Sequence, residues 1–410
     1  MNYFISMLIG SLLFINTNNA QSIRAISDSF RPLLKVPELL VSNNGTTIKT
    51  KKQWNTIRRP EIVSLLEQEE YGKIPGEIKV SKVTITDEDR NALNGRAIRK
   101  QVVLSFEKNG RSVSFEILLY LPKGKKSYPT FLSYNFGGNQ SINSDTNIHY
   151  SKPWNGQPAN RGANAVNWPV EKIIESGCGV VTLNNWDIAF DRNDFSVGVY
   201  TLLYKDQQAK PAPDEWGSLA AWAWGLSRAL DYLKTDKDVD GNKVIALGHS
   251  RLGKASLWAG AHDQRFAGVI SSGSGCGGAS MHIGKIGEKI ANINKRFPQW
   301  TCENFKKYSN KEDSLPFDQH FVLALVAPRP IYVASATEDA WADPHNEFLS
   351  AYYASSVYQL FGIKGIQKPE VQKFEQPITG MVSHHIRIGK HDILEYDWNN
   401  YIRFALENIK

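Results

Sequence analysis

Short, uninterrupted apolar runs separated by helical stretches constrain the fold of this chain more than any other feature of its sequence. The runs, each bounded by Gly, Pro or Asn, are Thr130–Tyr134, Gly179–Leu183, Val244–Leu247, Gly268–Ser271 and Ile331–Ala334. Strands without polar alternation are typical of a parallel sheet that is buried on both faces. Apolar residues at helical spacing in Trp168–Ser176 and Glu215–Leu233 place helices between the runs. We therefore predict an α/β fold with a mostly parallel, doubly wound sheet in three α/β/α layers.

The segments that flank this core have other patterns. Alternation of apolar and polar residues predicts antiparallel N-terminal strands at Val80–Thr86, Ala97–Phe106 and Val113–Leu121. Before them, Pro60–Tyr71 predicts a helix that starts at its proline, after an extended lead-in over residues 21–60. Trp398–Asn408 predicts a closing helix. Because no repeat, low-complexity segment or flexible linker interrupts them, residues 21–410 are expected to form a single domain.

The N-terminus carries a separate signal. Phe4–Ile15 is an apolar run of the length found in signal peptides, and it is too short for a comfortable membrane span. A polar stretch then leads to Ala20, a plausible cleavage point. We therefore expect residues 1–20 to be a signal peptide and the protein to be exported to the periplasm or secreted, without a membrane anchor. The alternative is a buried N-terminal helix.

Charge and cysteine content restrict the partners. The formal net charge of +7 favours anionic partners, but no dense Lys/Arg block with interleaved aromatic residues predicts nucleic-acid binding. An acidic polysaccharide fits this charge, as does a mildly basic protein with no charged partner. The three cysteines and nine histidines form no pattern with metal-ligand spacing, so no metal site is predicted. Cys276–Cys302 is the favoured disulfide, with three free buried thiols as the alternative.

A strand, a sharp turn and a helix meet in the segment KVIALGHSRLGKASLWAG, Lys243–Gly260. Ser250 lies at the apex of the turn, as the nucleophile does in the elbow of an α/β-hydrolase. The helix that follows points its N-terminus at the reacting carbonyl, and the backbone N–H of Arg251 is a natural oxyanion donor. The usual second glycine is replaced by Leu252, and Gly253 lies one place later. A Gly-Ser turn that merely caps a helix is the alternative.

A serine nucleophile needs a base, and the base in this fold comes last in the chain. His391 lies directly before the predicted closing helix, where a loop after the last strand would carry the base. The adjacent His384 and His385 are the rival candidates.

The acid of such a triad follows a late strand. Asp339 comes just after the Ile331–Ala334 run and is the first choice, with Glu338 and Asp343 as alternatives. Its task would be to fix the imidazole tautomer and to stabilise the imidazolium.

Taken with other motifs, the elbow GHSRLGK resembles that of the glucuronoyl esterases, carbohydrate esterase family 15. The further segments that carry the resemblance over most of the chain are Arg58–Pro75, Tyr134–Asn139, Asn167–Thr182, Ser274–Ala279, Ala327–Pro344 and Gly389–Asp392. The resemblance implies an α/β-hydrolase fold and hydrolysis of glucuronic or 4-O-methylglucuronic acid esters between glucuronoxylan and lignin alcohols. It also implies that no metal or cofactor is needed.

The same resemblance assigns roles beyond the triad. The guanidinium of Arg251 would assist the oxyanion hole, because a fixed cation near a developing oxyanion is effective in a dry site. Lys254 would hold sugar hydroxyls, Glu288 would contact the sugar, and Trp341 would lie beside the sugar ring. The alternatives are a surface lysine, a solvated glutamate and a core tryptophan.

The chain departs from the family pattern at two places. Many members have a triad glutamate where this chain has Gly273, so the chain resembles the subgroup that uses the later aspartate, Asp339. Asn184-Asn185-Trp186 occupies a stretch where aromatic residues and glycine are expected, which bears on the leaving-group side of the site. An acetyl xylan or feruloyl esterase, and a non-catalytic polysaccharide-binding homologue, remain alternative functions. A monomer is expected.

Overall fold

The computed structural model describes residues 35–125, 127–151, 159–205, 207–369 and 373–410. The predicted signal peptide, residues 1–20, lies outside the described residues. Within them, nine strands form one sheet. The strands are β1 (Lys82–Asn91), β2 (Ala97–Lys108), β3 (Arg111–Pro122), β4 (Thr130–Asn135), β5 (Gly179–Asn184), β6 (Val244–His249), β7 (Gly268–Ser272), β8 (Ile331–Ala336) and β9 (Val382–Arg387).

The strand order β1-β2-β3-β5-β4-β6-β7-β8-β9 combines two kinds of pairing. β1, β2 and β3 pair antiparallel, and β3 pairs antiparallel with β5. From β5 to β9 all neighbours are parallel. The predicted α/β-hydrolase architecture, with antiparallel N-terminal strands on a mostly parallel sheet, is confirmed. Since parallel strands share one carboxyl edge, the loops after β5 to β9 meet at that edge.

Helices cover both faces of the sheet. They are α1 (Lys51–Gln53), α2 (Arg59–Leu66), α3 (Ala92–Gly95), α4 (Val170–Glu175), α5 (Ser218–Leu233), α6 (Arg251–His262), α7 (Ile290–Arg296), α8 (His320–Ala324), α9 (Pro344–Leu360) and α10 (Glu395–Asn408). Apolar residues of α5, α6, α8 and α9 lie in one buried cluster with alternate strand residues. Those of α4 and α10 lie in a second cluster with the other alternate residues. This is the predicted three-layer arrangement.

The first helical segment begins earlier than predicted. Helical backbone starts at Lys51 rather than Pro60, and α1 and α2 are joined and extended by π-helical turns at Trp54–Arg58 and Glu67–Tyr71. Thr50 caps the start by accepting a hydrogen bond from the backbone N–H of Gln53 at 3.2 Å. Pro60 follows the π turn, where the change in hydrogen-bonding register accommodates a residue without an N–H.

The favoured disulfide between Cys276 and Cys302 is wrong, because all three cysteines are free and buried. The Cys276 sulfur lies 3.4 Å from His282 Nδ1. The Cys302 thiol donates instead to the carbonyl of Gln68 at 3.7 Å. Each sulfur therefore has its own polar partner. In the described part of the chain, no helix combines the length and apolar character that a membrane span needs.

Candidate active site

Ser250 occupies a strained turn between β6 and α6. Its backbone has φ +57° and ψ −132°, outside the regions that L-residues favour, and its N–H donates to the carbonyl of Ser272 at 2.8 Å. The glycines around it allow the tight turn. A Cβ atom on Gly248 would lie 2.1 Å from the carbonyl oxygen of Leu252, and one on Gly253 would lie 3.0 Å from that of Gly248. Gly253 thus allows the close approach despite its shifted position.

His391 and Asp339 form a short hydrogen bond at the same edge of the sheet. Asp339 follows β8 and His391 follows β9, and Nδ1 of the imidazole lies 2.5 Å from Oδ2 of the carboxylate. The Asp339 side chain is 4% exposed, whereas that of His391 is 40% exposed. A buried carboxylate on Nδ1 fixes the tautomer in which Nε2 is free to accept a proton.

Gly273 lies against this pair. Its φ is +50°, and a Cβ atom there would lie 3.3 Å from both Cε1 and Nδ1 of His391 and 3.4 Å from Oδ2 of Asp339. The preceding residue, Ser272, accepts the backbone hydrogen bond from Ser250. The serine, the imidazole and the carboxylate are therefore grouped around the end of β7. Within the described residues, Ser250 Oγ makes no hydrogen bond to His391, a contact that often tightens only when substrate binds.

His249 is the immediate neighbour of the imidazole. Its ring centroid lies 4.5 Å from that of His391. Burial, and then the neighbouring His391, lower the pKa of His249 to about 3. His249 is therefore neutral near pH 7, and it does not oppose the positive charge that His391 acquires when it takes a proton.

The rival histidines lie within the sheet. His384 and His385 are buried within β9. His385 lies 2.9 Å from a carboxylate oxygen of Asp397 and 2.8 Å from the hydroxyl of Tyr332. Burial lowers the pKa of His384 to about 3. Neither histidine is paired with the predicted acid.

The rival acids have other positions too. Glu338 is exposed and contributes its backbone N–H to the carbonyl of Gly389. Asp343 is buried at the start of α9, where its carboxylate accepts from the backbone N–H groups of Asn346 at 3.3 Å and Ile286 at 2.8 Å. Asp339 is the predicted acid that the structure brings to His391.

Arg251 is held beside the serine by groups that the sequence did not single out. Its guanidinium donates to Asp191, whose side chain is 5% exposed. The same guanidinium lies 5.4 Å from the ring centroid of Phe297 and 5.2 Å from that of Trp300. The other carboxylate oxygen of Asp191 accepts from Trp300 Nε1 at 2.7 Å. No sequence signal separated Asp191 from the other aspartates of its loop.

The backbone N–H of Arg251 is available as well. It is the first N–H of α6, and within the described residues it donates no hydrogen bond. A helix N-terminus with a free N–H, next to a fixed guanidinium, is suited to a developing negative charge.

Lys254, Glu288 and Trp341 form one hydrogen-bonded cluster. The Lys254 ammonium lies 3.1 Å from Oε2 of Glu288, and Trp341 Nε1 donates to Oε1 at 3.2 Å. Lys254 also donates to the carbonyl of Cys276. Lys254 and Glu288 are 3% and 6% exposed, whereas Trp341 is 46% exposed. The alternatives of a surface lysine, a solvated glutamate and a core tryptophan are therefore wrong.

A buried carboxyl supports the loop behind the site. Glu347, on α9, accepts from the backbone N–H of Gly275 at 2.9 Å and from Ser335 Oγ at 2.6 Å. Burial raises its pKa to about 7. Because Gly275 is two residues after Gly273, this contact helps to fix the segment that touches the imidazole. Among the described residues, no cluster of three or more His, Cys, Asp or Glu could hold a metal ion.

Comparisons with known proteins agree on one family. A family model described as glucuronyl esterase of fungi matches residues 104–362. A carbohydrate esterase from an unknown prokaryotic organism is 44% identical over 91% of this chain and 89% of its own length. The 4-O-methyl-glucuronoyl methylesterase 1 of Wolfiporia cocos is 26% identical over 80% of this chain and 72% of its own. A solved glucuronoyl esterase from Solibacter usitatus superposes with a TM-score of 0.88 at 41% identity, covering 92% and 99% of the two chains.

Proposed function

The chain belongs to the glucuronoyl esterases of carbohydrate esterase family 15, and from this membership we propose that Ser250, His391 and Asp339 carry out its ester hydrolysis. It is a carboxylic ester hydrolase, and its substrates are 4-O-methyl-glucuronoyl esters. The observation that carries the assignment of the residues is the 2.5 Å contact between His391 Nδ1 and Asp339 Oδ2. It leaves Nε2 as the atom that accepts the serine proton.

The first half of the reaction forms an acyl-enzyme. His391 Nε2 takes the proton of Ser250 Oγ while the oxygen attacks the ester carbon of the uronic acid. The carbonyl oxygen becomes an oxyanion, which the backbone N–H and guanidinium of Arg251 stabilise. Asp339 stabilises the imidazolium. The tetrahedral intermediate then collapses, and His391 gives its proton to the departing alcohol.

The second half releases the acid. Water enters beside His391, whose side chain is 40% exposed and therefore open to solvent. The imidazole removes a proton from the water as it attacks the acyl carbon. A second tetrahedral intermediate collapses, Ser250 Oγ regains the proton, and the free uronic acid leaves.

Lys254, Glu288 and Trp341 provide the contacts to the sugar in this proposal. A lysine and a glutamate paired within a buried site offer both donors and acceptors to sugar hydroxyls. The exposed indole offers a flat apolar face to the ring. The natural substrates in this account are esters between glucuronoxylan and lignin alcohols. The protein acts as an exported monomer, with residues 21–410 forming one catalytic domain after cleavage near Ala20.

The test is hydrolysis of benzyl glucuronate, acetylated xylan and methyl ferulate by wild type, Ser250→Ala and the matched control Ser314→Ala. Ser314 is exposed and donates to the carbonyl of Lys311, far from the elbow in sequence. We expect turnover of benzyl glucuronate that is abolished only in Ser250→Ala. Activity confined to the acetyl and feruloyl substrates would overturn the proposed substrate. Binding of glucuronoxylan without turnover, unchanged in Ser250→Ala, would indicate the non-catalytic alternative.

A further inference from the structure

A concave surface opens on the same edge of the sheet as Ser250. It is a groove of about 690 Å³ between the β2–β3 hairpin and the loop that follows β5. Residues from the loop that line it include Trp186, Phe190 and Arg192, and Ser112 and Ser114 line it from the hairpin. Nothing in the proposed reaction uses this groove.

The groove and the base lie on opposite sides of the nucleophile. In the sheet, β6 carries Ser250 at its end, with β4, β5 and β3 on one side and β7, β8 and β9 on the other. The groove adjoins β3 and β5, whereas Asp339 and His391 follow β8 and β9. The departing alcohol must lie beside His391, because that imidazole protonates it. The groove therefore adjoins the strands that lie across β6 from the base.

The segment 190–192 connects the wall of the groove to Arg251. Asp191 binds the Arg251 guanidinium. Its neighbours in sequence, Phe190 and Arg192, face the groove. The guanidinium of Arg192 lies 4.5 Å from the ring centroid of Phe190, and the ring of Trp186 lies 5.5 Å from that ring.

Aromatic rings and guanidinium groups also lie between this wall and the cluster of Lys254, Glu288 and Trp341. The Arg296 guanidinium lies 5.8 Å from the ring centroid of Trp341 and 5.4 Å from that of Phe297. Phe297, which is partly exposed, stacks on Trp300 at 3.9 Å with an interplanar angle of 3°. The Trp300 indole in turn donates to Asp191. Flat groups thus continue from Trp341 to Trp300, and Asp191 joins Trp300 to the segment that lines the groove.

The lining chemistry points to sugars. Two aromatic rings supply apolar faces, while serine hydroxyls, the Arg192 guanidinium and the exposed Glu107 carboxylate supply polar partners around them. Rings edged by donors and acceptors suit a polyhydroxy ligand with one apolar face. A purely apolar slot, which would suit an aromatic alcohol, is not what these residues form.

We propose that this groove is a subsite for neutral main-chain sugar residues of the polysaccharide that carries the glucuronoyl group. The proposal rests on the proposed function for the acyl group that is cleaved. It assigns Trp186 and Phe190 as stacking residues, and it makes polymer-borne esters better substrates than small ones.

The experiment compares wild type, Trp186→Ala and Ser114→Arg, with Leu406→Arg as the control. Ser114→Arg fills the groove from the hairpin without altering the loop that holds Arg251, and Leu406 is exposed on α10. The substrates are benzyl glucuronate and a glucuronoyl ester borne on a xylo-oligosaccharide. We expect both groove variants to lower the ratio of kcat/KM for the oligosaccharide ester to that for benzyl glucuronate by about tenfold, mainly through KM. Tenfold corresponds to about 1.4 kcal/mol, the size of one stacking contact.

Direct binding separates failure of this proposal from failure of the proposed function. Xylohexaose without uronic acid is titrated into wild type and Trp186→Ala by calorimetry, which needs no turnover. Binding that weakens about tenfold in the variant supports the subsite, even if wild type fails on benzyl glucuronate and the proposed function falls. Unchanged xylohexaose binding, or a ratio equal to that of the Leu406→Arg control, overturns the subsite. The subsite is also overturned if the groove variants lose kcat/KM on benzyl glucuronate but keep it on methyl glucuronate. That result would make the groove a site for the alcohol.

Discussion

Replacing Asp339 by asparagine is the sharpest test of the catalytic arrangement. The substitution keeps the shape of a side chain that is 4% exposed and lies 2.5 Å from His391 Nδ1. It removes the negative charge, and it presents an NH₂ group that favours the wrong imidazole tautomer. An ion pair at about 4 Å with an effective dielectric constant of about 20 is worth about 4 kcal/mol. Adding the tautomer cost gives about 5 kcal/mol, or a loss of about 10⁴ in kcat.

The assay is kcat and KM for benzyl glucuronate across pH 5–9, with Glu338→Gln as the matched control. Glu338 is the adjacent acid, and it is exposed and outside the contact with His391. We expect Asp339→Asn to lose about 10⁴ in kcat with little change in KM, because the substitution acts on the chemistry and not on sugar binding. The control should stay within about twofold of wild type.

Two results would refute this reasoning. If Asp339→Asn retained near-normal activity, the 2.5 Å contact would not be the catalytic one. If Glu338→Gln lost as much as Asp339→Asn, the loop rather than the carboxylate would be the cause. A loss confined to KM would equally contradict the assigned role.

Three further variants test the packing around the site. Gly273→Ala should lose about 1–2 kcal/mol of unfolding free energy and part of kcat. The reason is that a Cβ atom at φ +50° would lie 3.3 Å from His391. Unaltered kcat and stability would contradict this. Glu347→Gln should gain stability over wild type by up to about 3 kcal/mol as pH rises from about 4.5 to 7. The reason is that the raised pKa of Glu347, about 7, makes wild type lose stability over this range. A stability difference that stays constant with pH in urea unfolding would exclude this. His384→Leu should gain stability over wild type by up to about 5 kcal/mol as pH falls from about 6.5 to 3. The lowered pKa of His384, about 3, makes wild type lose stability on acidification. Parallel profiles of unfolding free energy against pH would disprove this.

The fold was predictable where each element buries a recognisable pattern. The apolar runs of β4 to β8 and the apolar stripe of α5 were recognisable in the sequence. The alternating strands β2 and β3 were recognisable too. β9 did not, because its sequence VSHHIR places two histidines in a strand whose six residues are all buried. α9 also gave no amphipathic signal, since buried residues occur on most of its surface. Burial on all sides removes the contrast on which periodicity depends.

The residues of the site also differ in whether the sequence alone could predict them. Ser250 could be found from its turn, because local sterics demand glycine near it. His391 and Asp339 could be ranked from chain order. Asp191 could not be found from the sequence, because nothing distinguishes it there from the other aspartates of its loop. Only its contact with the Arg251 guanidinium in the structure does so. The supposed disulfide failed for the same reason, because sequence spacing says nothing about which way two thiols point.

By itself, the sequence determined the class of fold, the elbow around Ser250 and the family resemblance, because each is encoded in residues that are adjacent or periodic along the chain. The tertiary structure alone decided which acid meets His391, what holds Arg251 and how Lys254 pairs with Glu288. Those contacts join residues that are far apart in sequence, and the packing of loops at one sheet edge selects them. No local pattern contains that information.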